Sequence, residues 1–555
     1  MSRGLLGGGA LVVALASVGL HLWPRACLFA FGAGTPELPP PAAYSLPPGS
    51  PPELPRARVE MPPAVPTGNV RVLHAGDDLQ AAVDAAQPGD LLALDPGAGF
   101  GPIRLPRKAG NDWITIRTNV PDGTFPPPGT RVDPVQAALM PKIEAGSGSA
   151  ITAAPGAHHY RFIGIEVRPQ PGAFLYNLVE LGARETSLEA MPHHIVFDRC
   201  YVHGDPQVGG RRGIALNAQH AAVVDSYLSD FKEQGADSQA ICGWNGLGPF
   251  AILNSYLEAA GENVMFGGVD PSMTNLVPSD IEIRRNRLAK PLAWKQGEPG
   301  YQGTGWTVKN LFELKNARRV LVDGNVFENN WVHSQAGFAI LFTVRNQDGS
   351  APWSVVEDVT FSNNEVRHSA SGVQVLGRDD NHPSQQAKRL LMRNNLFADI
   401  GGPRWGGGGR LFQIVAQAAD VVIAHTTALH AGNIITTEQG PFPGFVYRDN
   451  VAPHNEYGII GTDTAPGKPT LSAYFPDVVV RRNVIVGGQA AFYPEDNFFP
   501  ATLAEVGFVD LGGGDYRLRP TSPYRRAATD GKDIGVDFKE LAAAASAPGR
   551  PVAAP

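Results

Sequence analysis

Asn310–Asn346 reads NLFELKNARRVLVDGNVFENNWVHSQAGFAILFTVRN, and its pattern decides the fold. It holds one complete unit: an apolar strand, a short turn, a second apolar strand, an Asn, another apolar pair, and a loop into the next strand. LFELK and ILFTVRN alternate strictly. Phe312, Leu314, Ile340, Phe342 and Val344 fall on one face, and Glu313, Lys315, Thr343 and Arg345 on the other. A strip carrying a carboxylate, an amine and a guanidinium is a place where chemistry can occur.

The unit recurs. FDRCY ends at Tyr201, VVDSY at Tyr227, ILNSY at Tyr256 and IRRNRL at Leu288; VDGNVF, FSNNEV, LMRNNLF, RDNV and VRRNVI follow. With the Asn or its stand-in as marker, the positions are Arg199, Asp225, Asn254, Asn286, Asn325, Asn364, Asn395, Thr426, Asn450 and Asn483. A variable period of 24 to 39 residues, β-rich and without helical spacing, predicts a parallel β-solenoid. Asn suits the marker because it tolerates a left-handed turn and because stacked side-chain amides can hydrogen-bond into a ladder. A β-sandwich, with turn signals every 8–12 residues, has no use for such an Asn.

The rest of the chain frames this body. Net charge is −7 with 18% charged residues, so there is no basic footprint for nucleic acid. Three cysteines give no disulfide framework, and Cys200 and Cys242 fall on different segments of their coils. Residues 1–34 read as a signal peptide or membrane anchor, which predicts a secreted, periplasmic or cell-surface protein. Residues 35–68 are Pro-dense and read as an extended, unpacked spacer. A folded domain is expected over 69–540, and 541–555 is expected as a disordered Ala/Pro tail. At its start a helix over 78–86 is predicted to plug the open end of the first coil, with Leu79, Ala82, Val83 and Ala86 as its apolar face and Asp77 or Asp78 as N-cap.

The opening LQAAVDAAQPGDLLAL, the Asn-marked coils and the closing DYRLRPTSPYRRAATDGKDIGVD resemble the right-handed parallel β-helix proteins of the pectate-lyase-like superfamily. The resemblance implies an all-β fold, a right-handed parallel β-helix with an N-terminal capping helix. It does not imply one reaction, because the fold hosts lyases, hydrolases, epimerases and adhesins. In such enzymes the substrate groove runs along the third strand of each coil. Here that set includes LFELK, AILFTVR, GVQVLG and RLFQIV, followed by long polar loops.

With coils stacked about 4.8 Å apart, Glu313, Thr343, Gln374 and Gln413 are expected in one outward column, with Lys315 and Arg345 in the next. Glu262, Asn263, Lys309, Asp379, Asp380, His382 and Arg410 sit near the strand ends, and Trp244, Trp294, Trp306, Trp353 and Trp405 are candidate sugar platforms. Lys315-Asn316 and Arg345-Asn346 resemble the Lys and Arg of chondroitinase-B and alginate-lyase type enzymes, although Arg345 lacks the His-Gly that follows the Arg there. The resemblance leaves calcium open, with Glu262 and Glu313 as its candidate ligands. The expected activity is β-elimination on a uronic-acid polysaccharide. Lys315, Arg345 and Glu313 are the catalytic candidates; Gln374, Asp379, Asp380, His382, Arg410, Gln413, Lys309 and Asn263 are the substrate-binding ones. Arg345 is expected to lower the Lys315 pKa so that the amine can act as base. Three other readings stand beside this one. They are glycoside hydrolysis by Asp379, Asp380 and Glu313, a non-catalytic glycan-binding scaffold, and a charge ladder that only stabilises the coils. The partners expected are a polysaccharide and, through the N-terminus, a membrane; the chain is expected to act as a monomer.

Overall fold

The computed structural model describes residues 50–61 and 63–546; the leader and the first part of the Pro-rich segment lie outside the described residues. The coils form three long parallel sheets of 14, 13 and 12 strands. One coil shows the pattern. Ser279–Arg284 lies in the first sheet, Arg287–Ala289 in the second and Asn310–Leu314 in the third, before Ala317–Asp323 returns to the first sheet beside its predecessor. Crossovers between parallel strands of one sheet are right-handed, and the molecule is a right-handed parallel β-helix. Phe312, Leu314, Ile340, Phe342 and Val344 all join the central core, as their alternation requires.

The buried turn between the first and second sheets carries an amide ladder. Asn286 N–H donates to Asn325 Oδ1 (2.9 Å), Asn325 N–H to Asn364 Oδ1 (3.0 Å) and Asn364 N–H to Asn395 Oδ1 (2.9 Å). Each Nδ2 also donates inward, as Asn325 does to Ile283 O and Asn364 to Val322 O. Asn450, Asn483 and Asn497 repeat the arrangement. The sequence reading combined two positions that the structure separates. The left-handed residue is the one before the ladder Asn: Arg285, Gly324, Asn363, Asn394, Asp449 and Arg482 have positive φ. Arg199, Asp225 and Asn254 are left-handed residues of this kind, so the ladder residues of their coils are Cys200, Ser226 and Ser255. Ser reproduces the acceptor but not the second donor, which is why these coils carried no Asn signal.

A second row of left-handed residues opens the strands of the first sheet. It runs His159, His194, His220, then Asp280, Arg319, Asp358, Arg389 and Asp420. Arg319 clasps Asp280 (2.7 and 2.9 Å), and Arg389 clasps Asp358 (2.6 and 2.7 Å). Opposite charges one coil apart satisfy each other at the edge.

The ends are closed. The helix Leu79–Ala85, capped by Asp78 through Ala81 N–H, buries Leu79, Ala82 and Val83 against the first coil. At the other end Lys468–Tyr474, absent from the sequence reading, places Leu471 in the core, with Phe475 just beyond it. Residues 507–537 add a hairpin and a second small core around Val484, Phe508, Tyr524 and Ile534. The helix Phe538–Ser546 runs on past residue 540, where a tail was expected, and Glu540 pairs with Arg393. Cys200 and Cys242 are buried and unbridged.

The Pro-rich segment is corrected by the structure. Over residues 50–61 it is not a free spacer but lies on the first sheet. Val59 is buried against Val196, Ala222, Val224, Ala251 and Leu253; Glu53 N–H donates to Asp358, and Arg56 N–H to Asp280. The outward face of those coils is apolar, and an extended segment with few free N–H groups covers it without competing for the sheet's hydrogen bonds.

Asn364→Ala strands Asn325 N–H and Val322 O in the core, at about 1–3 kcal/mol for each orphaned group. A loss of about 2–6 kcal/mol in denaturant unfolding is expected.

Candidate active-site groove

The outward face of the third sheet is not an open strip. In one column Ala215, Cys242, Met265, Glu313, Leu341, Gln374 and Gln413 lie in register. Thr343 was expected in this column. It stands instead opposite Leu376, in the next column, and reaches across so that its Oγ1 donates to Glu313 Oε1 (2.9 Å). A second column runs Arg212, Gln239, Glu262, Asn310. Sequence reasoning placed Glu262 near a strand end and missed Gln239, Asn310 and Asp237. The recurrence of polar residues three positions before Ala215, Cys242, Met265 and Glu313 was the available signal.

These side chains form one buried charged cluster. Gln239 Nε2 donates to Glu262 Oε2 (2.7 Å), and Asn310 Nδ2 donates to Glu313 Oε2 (2.9 Å). Lys309 Nζ lies 2.6 Å from Asp237 and 3.4 Å from Glu262; Lys315 Nζ lies 3.7 Å from Glu313. Glu262 is fully buried and Glu313 is 2% exposed. Burial, reinforced by Asp237 and Glu313, lifts the Glu262 pKa above the ordinary carboxylate range, although Lys309 and Lys315 oppose the shift. Burial alone would depress Lys315, but Glu313 and then Glu262 outweigh it and hold the ammonium above its usual pKa. This reverses the expected direction.

Arg345 does not act on Lys315 as expected. Arg345 N–H donates to Lys315 O (2.9 Å), so the two residues occupy neighbouring coils, but Leu314 pairs with Phe342, so Arg345 lies further along its strand than the shared column expected of it. Its guanidinium, however, is held by Asp379 (2.6 Å) and Asp380. Those carboxylates neutralise the charge that was to act on Lys315. Asn346 ties the flanking loops by donating from its N–H to Asp379 and from its Nδ2 to Pro383 O, while accepting from Ala351 N–H. Asp270 of the preceding loop accepts from Ser350 N–H and Oγ (both 2.8 Å). Long loops thus roof the strand ends and leave the Lys315 side chain 15% exposed.

The remaining candidates divide. Gln374 and Gln413 are adjacent in register and half-buried, and Arg410 reaches Gln413 (3.4 Å) over the Phe338 ring. His382 lies exposed against Gly349. Asn263 does not face the groove: it is buried at the coil corner, donating to Leu257 O and Ala289 O and accepting from Lys290. The tryptophans are not sugar platforms either. Trp294 and Trp306 pack with Trp331 inside a loop, and Trp244 and Trp405 are buried. Trp353 is half-buried and donates its indole N–H to Leu276 O. An accessible aromatic is Tyr176, 61% exposed and stacked by Arg211 (4.5 Å). It lines a cleft of about 510 Å³ with Phe174, Glu233 and Trp306.

The donor chemistry does not suit calcium. That ion takes six to eight oxygens, and among the described residues no three carboxylates converge within ligand reach. Glu262 Oε1, Gln239 Oε1 and Asn310 Oδ1 are buried without hydrogen-bond donors, but Lys309 and Lys315 already bring cationic charge to the cluster.

With the geometry in place, comparisons with known proteins can be set beside it. No protein-family model and no curated protein matches the chain. Similar solved structures include a mannuronic-acid-specific polysaccharide family 6 lyase from human gut microbiota. It is 10% identical, over 79% of this chain and 93% of that one, with TM-score 0.49. The alginate lyase AlyGC is 12% identical over 87% and 60%, TM-score 0.42. An alpha-1,3-glucanase catalytic unit from Streptomyces thermodiastaticus is 12% identical over 79% and 64%, TM-score 0.35. All are parallel β-helix proteins. The chain has a right-handed parallel β-helix fold. The fold is set by its own three sheets, and the reaction has to be argued from the groove.

Lys309→Ala leaves Asp237 and Glu262 without their ammonium. Millimolar Ca²⁺ is expected to raise the thermal midpoint of that variant by several degrees and to leave the wild-type midpoint unchanged in the same calorimetric scan.

Proposed function

We propose that this protein is a polysaccharide lyase that cleaves a uronic-acid-containing glycan by β-elimination in the groove of the third sheet. The observation that supports the reading is that Lys315 and Arg345 lie on adjacent coils, joined by the Arg345 N–H to Lys315 O bond, at the foot of long loops. Elimination removes the proton from the carbon bearing the uronate carboxylate, forms a carbon–carbon double bond, and breaks the bond to the leaving glycosidic oxygen. The carboxylate must be neutralised while charge develops beside it. Lys315 is the proposed base, acting as its free amine. Arg345, held through its Nη1 by Asp379 and Asp380, is proposed to receive the substrate carboxylate through its remaining N–H groups, as a guanidinium does through parallel hydrogen bonds. Gln374, Gln413 and Arg410 extend along the groove as contacts for neighbouring sugars, and Tyr176 offers the ring face. On this reading the protein acts outside the cytoplasm, where such glycans occur.

A second reading, glycoside hydrolysis, draws on Glu262. A carboxyl whose pKa is raised beside one that is hydrogen-bonded and paired is the pattern of an acid and its partner. Asp379 is the weaker choice as acid. Burial would raise its pKa, but the Asn381 and Asn346 N–H groups and Arg345 more than offset that and keep it ionised.

The two readings separate on products. Uronate polysaccharides are incubated with the full chain while ultraviolet absorbance of unsaturated ends and the appearance of reducing ends are followed together. Matched growth of both signals, abolished in Lys315→Ala, is expected. Reducing ends without unsaturation move the reaction to Glu262, and neither signal on any uronate glycan leaves a binding protein.

The charge arrangement also sets the pH profile. A base must be deprotonated, and Glu313 holds the Lys315 pKa up, so the rate is expected to climb on the alkaline side. Glu313→Gln removes the principal raising charge and is expected to shift the rising limb of kcat about one pH unit lower. An unmoved limb would count against Lys315 as the base.

A further inference from the structure

The row of left-handed residues on the first sheet begins with histidines where later coils carry Asp and Arg. His158-His159 and His193-His194 lie on successive coils with His158 opposite His193, and His220 follows on the third. The His158 and His193 rings stack at 4.7 Å and 3°; His159 and His194 stack at 4.4 Å and 7°, and His194 stacks on His220 at 4.4 Å. Trp113 closes one side, edge-on to His159 at 5.2 Å. Burial keeps the five rings neutral near pH 7, with His159 and His193 pushed down to about 4 and His194 to about 3. Among the described residues no carboxylate hydrogen-bonds to any of them.

The nitrogens are organised beyond simple stacking. His158 Nε2 lies 3.0 Å from Lys108 O, a group that can only accept, so Nε2 carries the proton and Nδ1 carries the lone pair. His158 Nδ1 lies 2.8 Å from His159 Nδ1, which must therefore be the donor. A ligating histidine characteristically donates its other ring N–H to a carbonyl in this way, which fixes both tautomer and ring. One ring nitrogen each from His158, His159 and His193 lie within 4.8 Å of one another. His220 Nδ1 is buried without a hydrogen-bond partner in the protein.

We propose that His158, His159 and His193 form a binding site for a late transition-metal dication, best fitted by Cu²⁺, on a different sheet from the groove. An all-imidazole donor set selects Cu²⁺, Ni²⁺ or Zn²⁺ and offers nothing to Ca²⁺ or Mg²⁺. A nitrogen separation of 2.8 Å with metal–nitrogen bonds of about 2.0 Å subtends about 90°, the angle of a tetragonal site; a tetrahedral ion needs about 3.3 Å. Binding replaces the shared proton: His159 passes its proton from Nδ1 to Nε2, both rings turn so that the Nδ1 lone pairs, aimed at each other in the hydrogen bond, meet the ion, and no net proton is released. The third donor closes by rotation of His193 out of its stack and away from His194 Nδ1, now 2.8 Å from its own Nδ1, because two ligands of one ion stand at most about 4.2 Å apart.

The test uses the untagged full chain, stripped with chelator and titrated with Cu²⁺ alone. Calorimetry is expected to show one tight equivalent per chain, and the electron paramagnetic resonance spectrum a tetragonal signal split by several nitrogens. His159→Ala and His193→Ala, shown to be folded by circular dichroism, are expected to weaken binding at least tenfold. His74→Ala, which alters an exposed histidine paired with Asp95, is expected to leave it unchanged. A wild-type signal without nitrogen splitting, the absence of a tight equivalent, or an affinity that depends on His74 and not on His159 would overturn the site.

Discussion

A carboxamide that both accepts from the coil above and donates to the coil below is the constraint on which the molecule depends. Each ladder Asn closes the turn between the first and second sheets while satisfying backbone groups that no water reaches. Because each amide is shared, the position of each coil along the ladder is set by its neighbour. The register of the third sheet, and so the approach of Lys315 to Arg345, is inherited from bonds made on the far side of the core.

That inheritance explains how charge can be gathered so densely in the groove. Glu262, Glu313, Lys309 and Lys315 occupy outward positions of successive strands, and the loops above them remove solvent. Carboxylates in such a place must be matched by cations. The chain supplies those cations from its own strands, as ammonium groups fixed by register, instead of relying on an ion from solution. The field in the groove is thereby built into the fold.

The repeat, the inward residues and the capping helix were legible in the sequence because each depends on spacing within one segment. The ladder was legible only where Asn filled it; in the coils of Cys200, Ser226 and Ser255 the marker slipped by one residue onto the left-handed position. Alternation assigned Glu313, Lys315 and Arg345 to one face, but not their surroundings. The clasp of Arg345 by Asp379 and Asp380 joins two loops, and local pattern carries no record of such a meeting. The tryptophans misled for a similar reason, since loops long enough to roof a groove need small cores of their own. The Pro-rich segment has the composition of a spacer, and only the apolar outer face of distant strands turns it into a packed element.

That segment has a consequence for the order of events during biosynthesis. Residues 53 and 56 leave the ribosome early, yet the acceptors they bind are Asp358 and Asp280, later in the chain by 305 and 224 residues. Closure of so large a loop waits until those coils exist. Until then the outer stripe of Val196, Ala222, Val224, Ala251 and Leu253 stays uncovered on a growing stack. The N-terminal segment is therefore made first and seated last, as a latch that reports a solenoid already wound past its midpoint.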